Sequence, residues 1–272
     1  MFDKYIYIKY NNGRFANQLF PIFVALSMYE EGNHSKIYIN NYKKILNYNI
    51  LNNKIFDILE FKSIDDVNIN NKKYFYDYEN DFIIKHYKDC INSSNNIIIY
   101  GYQQNYKIIN ENVCRKYLSC PDKYKQKIFD LYGDISNYIC LHVRRGDYLD
   151  NENIKLYNVL SKEYIERVIN KYFPNNKIIC ISDDINWCKE NLSNNLNIIF
   201  ADKSSNPIID FYIQTLTKGN ICSGSSFSIA GVILNPNKDK KIIIPKPFFK
   251  TENTFPSVNL ILPYAIQEPL QL

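Results

Sequence analysis

The stretch "YICLHVRRGDYLD" (138–150) decides how this chain is read. Its apolar run from Tyr138 to Leu141 lies in "YICLHV" (138–143), which has the length and composition of a buried strand. A chain building such a strand has no packing reason to finish it in Arg144, Arg145 and Asp147, beside His142, one of only three histidines. His142 and Arg144 are two residues apart, so on a strand they share a face at its carboxyl end, where open α/β sheets bind ligands. Arg145 points to the other face, and Gly146 permits the turn that follows. A guanidinium fork at that place suits a pair of diphosphate oxygens. An ion pair between Arg144 and Asp147, capping the strand end, is the other reading these residues allow.

Working outward, the chain after this stretch alternates regularly. "SKEYIERVINKYF" (161–173) has helical spacing with Ser161 as its N-cap, and "KIICIS" (177–182) is a strand. "DINWCKENL" (184–192) is a helix, "NIIF" (197–200) a strand, and "PIIDFYIQTLTK" (207–218) a helix with Pro207 in its first turn. The strand "NICSG" (220–224), a helix from Ser226 and the strand "KIIIP" (241–245) complete the series. Short apolar strands separated by helices predict a parallel sheet covered on both faces.

The first half is less regular. "YIYIKY" (5–10), "KIYIN" (36–40) and "NIIIY" (96–100) read as strands, and "NQLFPIFVALSMYEE" (17–31) as a long helix. Turn residues in "LYGDISN" (131–137) place the boundary there. The expected organisation is an N-terminal α/β domain over 1–135, on the acceptor side, and a C-terminal Rossmann-like domain over 136–272 ending in a tail. Two such domains facing each other would hold a ligand at the carboxyl ends of their strands.

The composition narrows the partners. With 272 residues there is room for one large or two medium cores. The formal charge of +5 comes from 33 basic against 28 acidic residues, without a run of five or more like charges. That excludes nucleic-acid binding through broad electrostatics and fits a small anionic ligand. Seven cysteines without a C-x-x-C pair read as reduced core residues in a cytoplasmic setting. The opening residues alternate like a strand, so no leader or spanning segment is expected, while peripheral membrane association stays compatible. The oligomeric state is left open.

Three more segments carry chemistry. "CISDDINW" sets Asp183 and Asp184 beyond a strand, where a carboxylate can accept from a base or ribose, or can cap the next helix. "CSGSSFSIAGV" (222–232) ends a strand in hydroxyl residues at a helix start, so Ser225, Ser226 and Ser228 with free backbone N–H groups suit a phosphate. "NNGRFANQLF" puts Gly13, Arg14, Asn17 and Gln18 at another strand-to-helix turn, and it is not the G-x-G-x-x-G of dinucleotide folds. No two aspartates stand two positions apart, so no D-x-D metal pair is present and no metal or cofactor is expected.

Taken in order, "GRFANQ" (13–18), "GYQQNYKII" (101–109), "HVRRGDYL" (142–149), "SDDINWCKENL" (182–192) and "CSGSSFSIAGVIL" (222–234) resemble the alpha-1,2-fucosyltransferases. More broadly, they resemble GDP-fucose-dependent transferases of the GT-B-like α/β class, with two facing Rossmann-like domains. The resemblance runs from about residue 5 to 250. It implies an inverting, metal-independent transfer of L-fucose from GDP-β-L-fucose to a glycan hydroxyl. It also suggests His142 and Asp184 near the guanine, Arg144 on the β-phosphate and Arg145 beside it. Ser226, Phe227 and Ser228 would lie along the nucleotide, and Gly13, Asn17 and Gln18 would line the donor from the other domain. Asp147 is nearest to the signature as the base, with Asp150 and Glu152 as alternatives in the following loop. The chain departs from the family pattern at Ala16, where a glycine is usual, and after Ser228, where tryptophans usually follow. Transfer of another deoxysugar, or a non-catalytic glycan- or nucleotide-binding module on the same fold, would keep many of these residues.

Overall fold

The computed structural model describes residues 4–9, 13–39, 53–62, 71–77, 80–192, 197–250, 255 and 258–271. The chain divides into two compact units, Met1–Pro121 with Pro256–Leu260, and Asp122–Phe255 with Ile261–Leu272.

The first unit contains β1 (Tyr5–Ile8), α1 (Phe15–Gly32), β2 (Lys36–Ile39), β3 (Leu59–Phe61), β4 (Lys72–Phe75), α2 (Asn80–Ile91), β5 (Asn96–Ile99) and α3 (Glu111–Leu118). Its strands pair in parallel in the order β3-β2-β1-β5-β4. The period of two in these strands sorts their side chains. Ile6, Ile8, Ile37, Ile39, Ile97, Ile99 and Phe75 form one buried face. Across the other face, the pairing aligns Tyr38, Tyr7, Ile98 and Tyr74 in a row. Tyr7 and Tyr38 are buried there, and Tyr74 on the edge strand is exposed. The unit is completed from far along the chain. Asn259 N donates to Gln104 O at 2.8 Å and Tyr106 N donates to Asn259 O at 2.9 Å.

The second unit contains α4 (Asp122–Tyr132), β6 (Ile139–Val143), α5 (Lys162–Tyr172), β7 (Ile178–Ser182), α6 (Ile185–Asn191), β8 (Ile198–Phe200), α7 (Pro207–Leu216), β9 (Gly219–Ile221), α8 (Ser226–Leu234), β10 (Lys241–Lys246) and β11 (Ile266–Pro269). Its strands are also all parallel, in the order β11-β10-β9-β6-β7-β8. Counted from β6, the spatial order is 3-2-1-4-5-6, that of the doubly wound nucleotide-binding sheet. One face of the sheet, with Ile139, Leu141, Val143, Ile178, Cys180, Ile221 and Ile243, packs with Tyr164, Ile165, Val168 and Ile169 of α5. Ser161 caps α5 by accepting from Tyr164 N at 3.2 Å, and Pro207 opens α7. All seven cysteines are buried and none is in a disulfide.

Two expectations change here. α4 belongs to the second unit, so the division precedes it and does not follow it. The Tyr124 ring lies 5.4 Å from that of Tyr212 on α7, and Lys203 N donates to the Tyr132 hydroxyl at 3.1 Å. The expected C-terminal tail contributes β11, an edge strand whose Glu268 is buried and held by Lys171 at 3.0 Å and by the Tyr172 hydroxyl at 2.7 Å. A buried carboxylate tied this way fixes the strand although its four residues carry no apolar run.

Candidate active site

In the second sheet the strand order reverses between β6 and β9, and the crevice beyond their carboxyl ends is where such sheets take ligands. The two segments expected to carry chemistry, 144–149 and 222–228, leave the sheet at that point. Ser223 ties them together. Its hydroxyl donates to His142 O at 2.7 Å and accepts from Arg144 N at 2.9 Å. The Tyr148 hydroxyl adds a bond to Gly224 O at 3.1 Å.

The two guanidinium groups diverge from the end of β6. Arg144 binds Asp147 through one terminal nitrogen and Asp183 through the other, the latter at 2.8 Å. Arg145 Nε donates to Asp184 Oδ2 at 3.1 Å, and its guanidinium lies 3.8 Å from the ring centroid of Trp187. Asp183 also accepts from Arg145 N at 2.9 Å, so one carboxylate braces both arginine residues. It lies so close to Gly146 that a Cβ there would collide with it, which explains the glycine. Asp184 caps α6 by accepting from Trp187 N at 3.3 Å. The ion-pair and helix-cap readings of these residues are therefore both present in the structure. Two guanidinium charges meet three carboxylates, and all five side chains are at most partly exposed.

His142 is buried, with Nδ1 2.6 Å from Ser228 Oγ and its ring 5.1 Å from that of Phe227. Burial, with the Arg144 charge added, pushes its pKa down to about 3, so the ring is neutral at ordinary pH. Ser228 was expected along a nucleotide, but it lies in the core at 0 % exposure with its hydroxyl on His142. Helical periodicity explains this, because α8 turns Ser228 toward His142 of the sheet while Ser226 and Phe227 stay partly exposed. Ser225 is the cap of α8, accepting from Phe227 N at 3.3 Å.

The first sheet reverses order between β1 and β5, and again the expected motifs stand at the strand ends. Gln18 Nε2 donates to Gly13 O at 2.7 Å, bracing the turn that opens α1. Asn17 Oδ1 accepts from Gln104 Nε2 at 2.8 Å, which joins the "GRFANQ" turn to the "GYQQ" segment. That segment is shaped by Asp77, which accepts from Tyr102 N at 2.7 Å and from Gln103 N at 2.6 Å. Gly101 has φ +84°, and any side chain on it would meet the Asp77 carboxylate.

The second unit thus gathers His142, Arg144, Arg145, Asp147, Asp184, Ser226 and Phe227 at the ends of β6 and β7 and the start of α8, and the first holds Gly13, Asn17 and Gln18 at the start of α1. Sequence reasoning missed three of the parts. Ser223 and Tyr148 carry no spacing signal, since their hydroxyls act on backbone groups of distant segments. Trp187 could have been found as the single tryptophan of the chain, one turn beyond Asp184. Among the described residues, no group of three or more His, Cys, Asp or Glu is placed to hold a metal ion. No helix among them is long and apolar enough to cross a membrane.

Comparison with known proteins bears on this geometry. Residues 3–256 match the family model of glycosyl transferase family 11. The O-antigen biosynthesis glycosyltransferase WbnK of Escherichia coli is 32% identical over 125 residues, 43% of this chain and 41% of that protein. An alpha-1,2-colitosyltransferase of Escherichia coli is 32% identical over 126 residues, 43% of each chain. These matches span about two-fifths of the curated relatives' length. Among solved structures, the fucosyltransferase NodZ from Bradyrhizobium superposes with TM-score 0.55 at 12% identity, covering 87% of this chain and 95% of that one. Arabidopsis thaliana FUT1 superposes with TM-score 0.53 at 11% identity, over 93% and 73% of the two chains. At those identities the likeness is one of fold, the GT-B-like pair of parallel-sheet units. With the family model matching nearly the whole described chain, this protein belongs to glycosyl transferase family 11.

Proposed function

We infer that the chain transfers L-fucose from GDP-β-L-fucose to a glycan hydroxyl, in α1,2 linkage to a galactose, with inversion and without a metal. The observation that carries this is the placement of Arg144 and Arg145 at the end of β6, with Arg144 tied through Ser223 to the segment that leads into α8, at the order reversal of a 3-2-1-4-5-6 sheet. That is where a diphosphate leaving group needs cations and helix N–H groups. In the transfer the acceptor oxygen attacks C1 of the sugar, the bond from C1 to the β-phosphate oxygen breaks, and GDP leaves with the electron pair. Arg144 stabilises the charge that grows on the β-phosphate, which requires it to exchange a carboxylate for phosphate oxygens. The acceptor proton passes to a carboxylate, Asp147 first, with Asp150 or Glu152 as alternatives. Arg145, Ser226 and Phe227 line the nucleotide, Asp184 and His142 stand on its guanine side, and Gly13, Asn17 and Gln18 serve from the first unit.

A second reading is transfer of another deoxysugar on the same machinery, and the alpha-1,2-colitosyltransferase among the relatives favours it. Turnover of GDP-fucose and of other GDP-deoxysugars against a panel of β-galactosides separates the two, with the linkage assigned by NMR. Transfer of fucose to O2 of galactose is expected. Transfer only from a different GDP-sugar would replace the first reading with the second, and no transfer from any would sink both.

A further inference from the structure

Trp187 lies in the first turn of α6 and packs against the core that lines β6 and β7. The Arg145 guanidinium rests over its ring at 3.8 Å, with the Arg145 side chain only 14% exposed. Asp184, the cap of the same helix, takes Arg145 Nε. Ring and carboxylate together use the flat face of the guanidinium and its inner nitrogen. The two terminal nitrogens of Arg145 have no partner among the described residues. Arg144 is the opposite case, with both terminal nitrogens on carboxylates.

We propose that Trp187 is a positioning residue of the donor site, which with Asp184 presets Arg145 as a two-pronged contact for an anionic diphosphate. The inference rests on the sugar-nucleotide reading above. Stacking suits this task because it immobilises a guanidinium without consuming any N–H, and it strengthens as water is excluded. A free arginine has several rotamers to lose when it closes on an anion, whereas a clamped one has lost them already. Asp184 contributes twice, since the carboxylate that caps α6 also aims the arginine that α6 carries on its tryptophan.

The test is a mutant cycle read by GDP binding in calorimetry, donor KM and kcat, and melting temperature. The chains compared are the unmodified protein, Trp187→Leu, Trp187→Phe, Arg145→Met and the double variant Trp187→Leu with Arg145→Met. Trp187→Leu should weaken GDP binding and raise donor KM about tenfold, with a smaller effect on kcat. Trp187→Phe, which keeps a ring face, should recover to within about threefold of the unmodified protein. In the Arg145→Met background, Trp187→Leu should cost no further affinity, because its only route to the ligand is gone. Unchanged affinity in Trp187→Leu, or losses that add in the double variant, would overturn the proposal and leave Trp187 a core residue. If Trp187→Leu does not fold, the same cycle with Trp187→Phe decides, its smaller loss vanishing or adding. Failure of the unmodified chain to bind GDP would sink the sugar-nucleotide reading and this inference with it. GDP binding that ignores Trp187 sinks the inference alone.

Discussion

Both units reverse strand order beside their first strand, yet the two reversals are furnished differently. Beyond β6 and its neighbour β7 stand two guanidinium groups and three carboxylates, with a buried neutral histidine beneath. Beyond β1 and β5 stand Asn17 and Gln104 sharing a hydrogen bond, and a glycine turn held by Asp77. The sheets differ likewise. β6 and β7 are buried along nearly their whole length, whereas β1 and β2 alternate isoleucine with tyrosine or lysine and the edge strand β4 is largely exposed. Topology provides two equivalent places for a ligand, and side-chain chemistry decides which can manage a charged leaving group. On the proposed reading, the ionic strand ends answer for the chemical step and the amide strand ends for neutral groups.

The largest expected effect tests the ionic side. Arg144→Lys keeps the charge but loses the fork that now spans Asp147 and Asp183, so kcat should fall about a hundredfold or more, roughly 3 kcal/mol, with the melting temperature nearly kept. Arg145→Lys loses its second prong on the donor, so donor KM should rise about tenfold while kcat falls less than in Arg144→Lys. A chain in which Arg144→Lys stays active, or in which both variants merely melt early, has a structural ion pair at that strand end and no catalytic fork.

Next in size is a stability effect that each unit contributes through one buried histidine. Burial pushes the His34 pKa down to about 4 in the first unit, and that of His142 to about 3 in the second. An unfolded histidine titrates near 6.5, so below that pH the unfolded chain gains protons the folded one refuses. Each histidine's contribution is therefore whole above about pH 6.5 and falls by about 1.4 kcal/mol per pH unit as pH decreases to its folded pKa, while the buried Asp210 carboxyl, pushed up to about 7, adds a slope of the opposite sign over that range. Urea unfolding at pH 7, 6 and 5 should show the unmodified chain's pH slope lowered by about 1.4 kcal/mol per pH unit in His34→Gln or in His142→Asn. An unaltered slope in either variant would mean that its ring is not neutral in the fold.

Smaller still is the amide side. Asn17→Ala removes the acceptor for Gln104 and should cost about 1 kcal/mol of stability and less than tenfold in kcat/KM. A loss as deep as that of Arg144→Lys would erase the proposed division of labour. The least effect is expected from a chelator, since the diphosphate is answered by arginines and helix N–H groups. Activity lost in EDTA and restored by manganese would break that account.

Sequence carried the second unit further than the first for a physical reason. A strand buried on both faces is an unbroken apolar word, as in Ile139–Val143 and Ile178–Ser182, and it is visible without partners. β3, β4 and β11 are short edge strands, and β4 and β11 carry charged residues that edges tolerate, so no pattern marks them. At the site, residue types and strand ends were legible, and pairings were not. Asp183 and Asp184 look equivalent in sequence, yet one braces both arginines and the other caps α6, a difference set by which way each carboxylate faces at the turn. The burial of Ser228 was hidden for the same reason, since one helical step separates it from the partly exposed Phe227.

The backbone bonds of Asn259 to Gln104 and Tyr106 have a consequence for synthesis. A ribosome delivers the first unit's strands early, but that unit lacks these bonds until residue 259 has emerged. By then the stretch from β6 to β10 has already been made, so the doubly wound sheet can assemble while its older neighbour still waits for a closing segment. The unit born first therefore closes only shortly before the second, whose edge strand β11 follows residue 259.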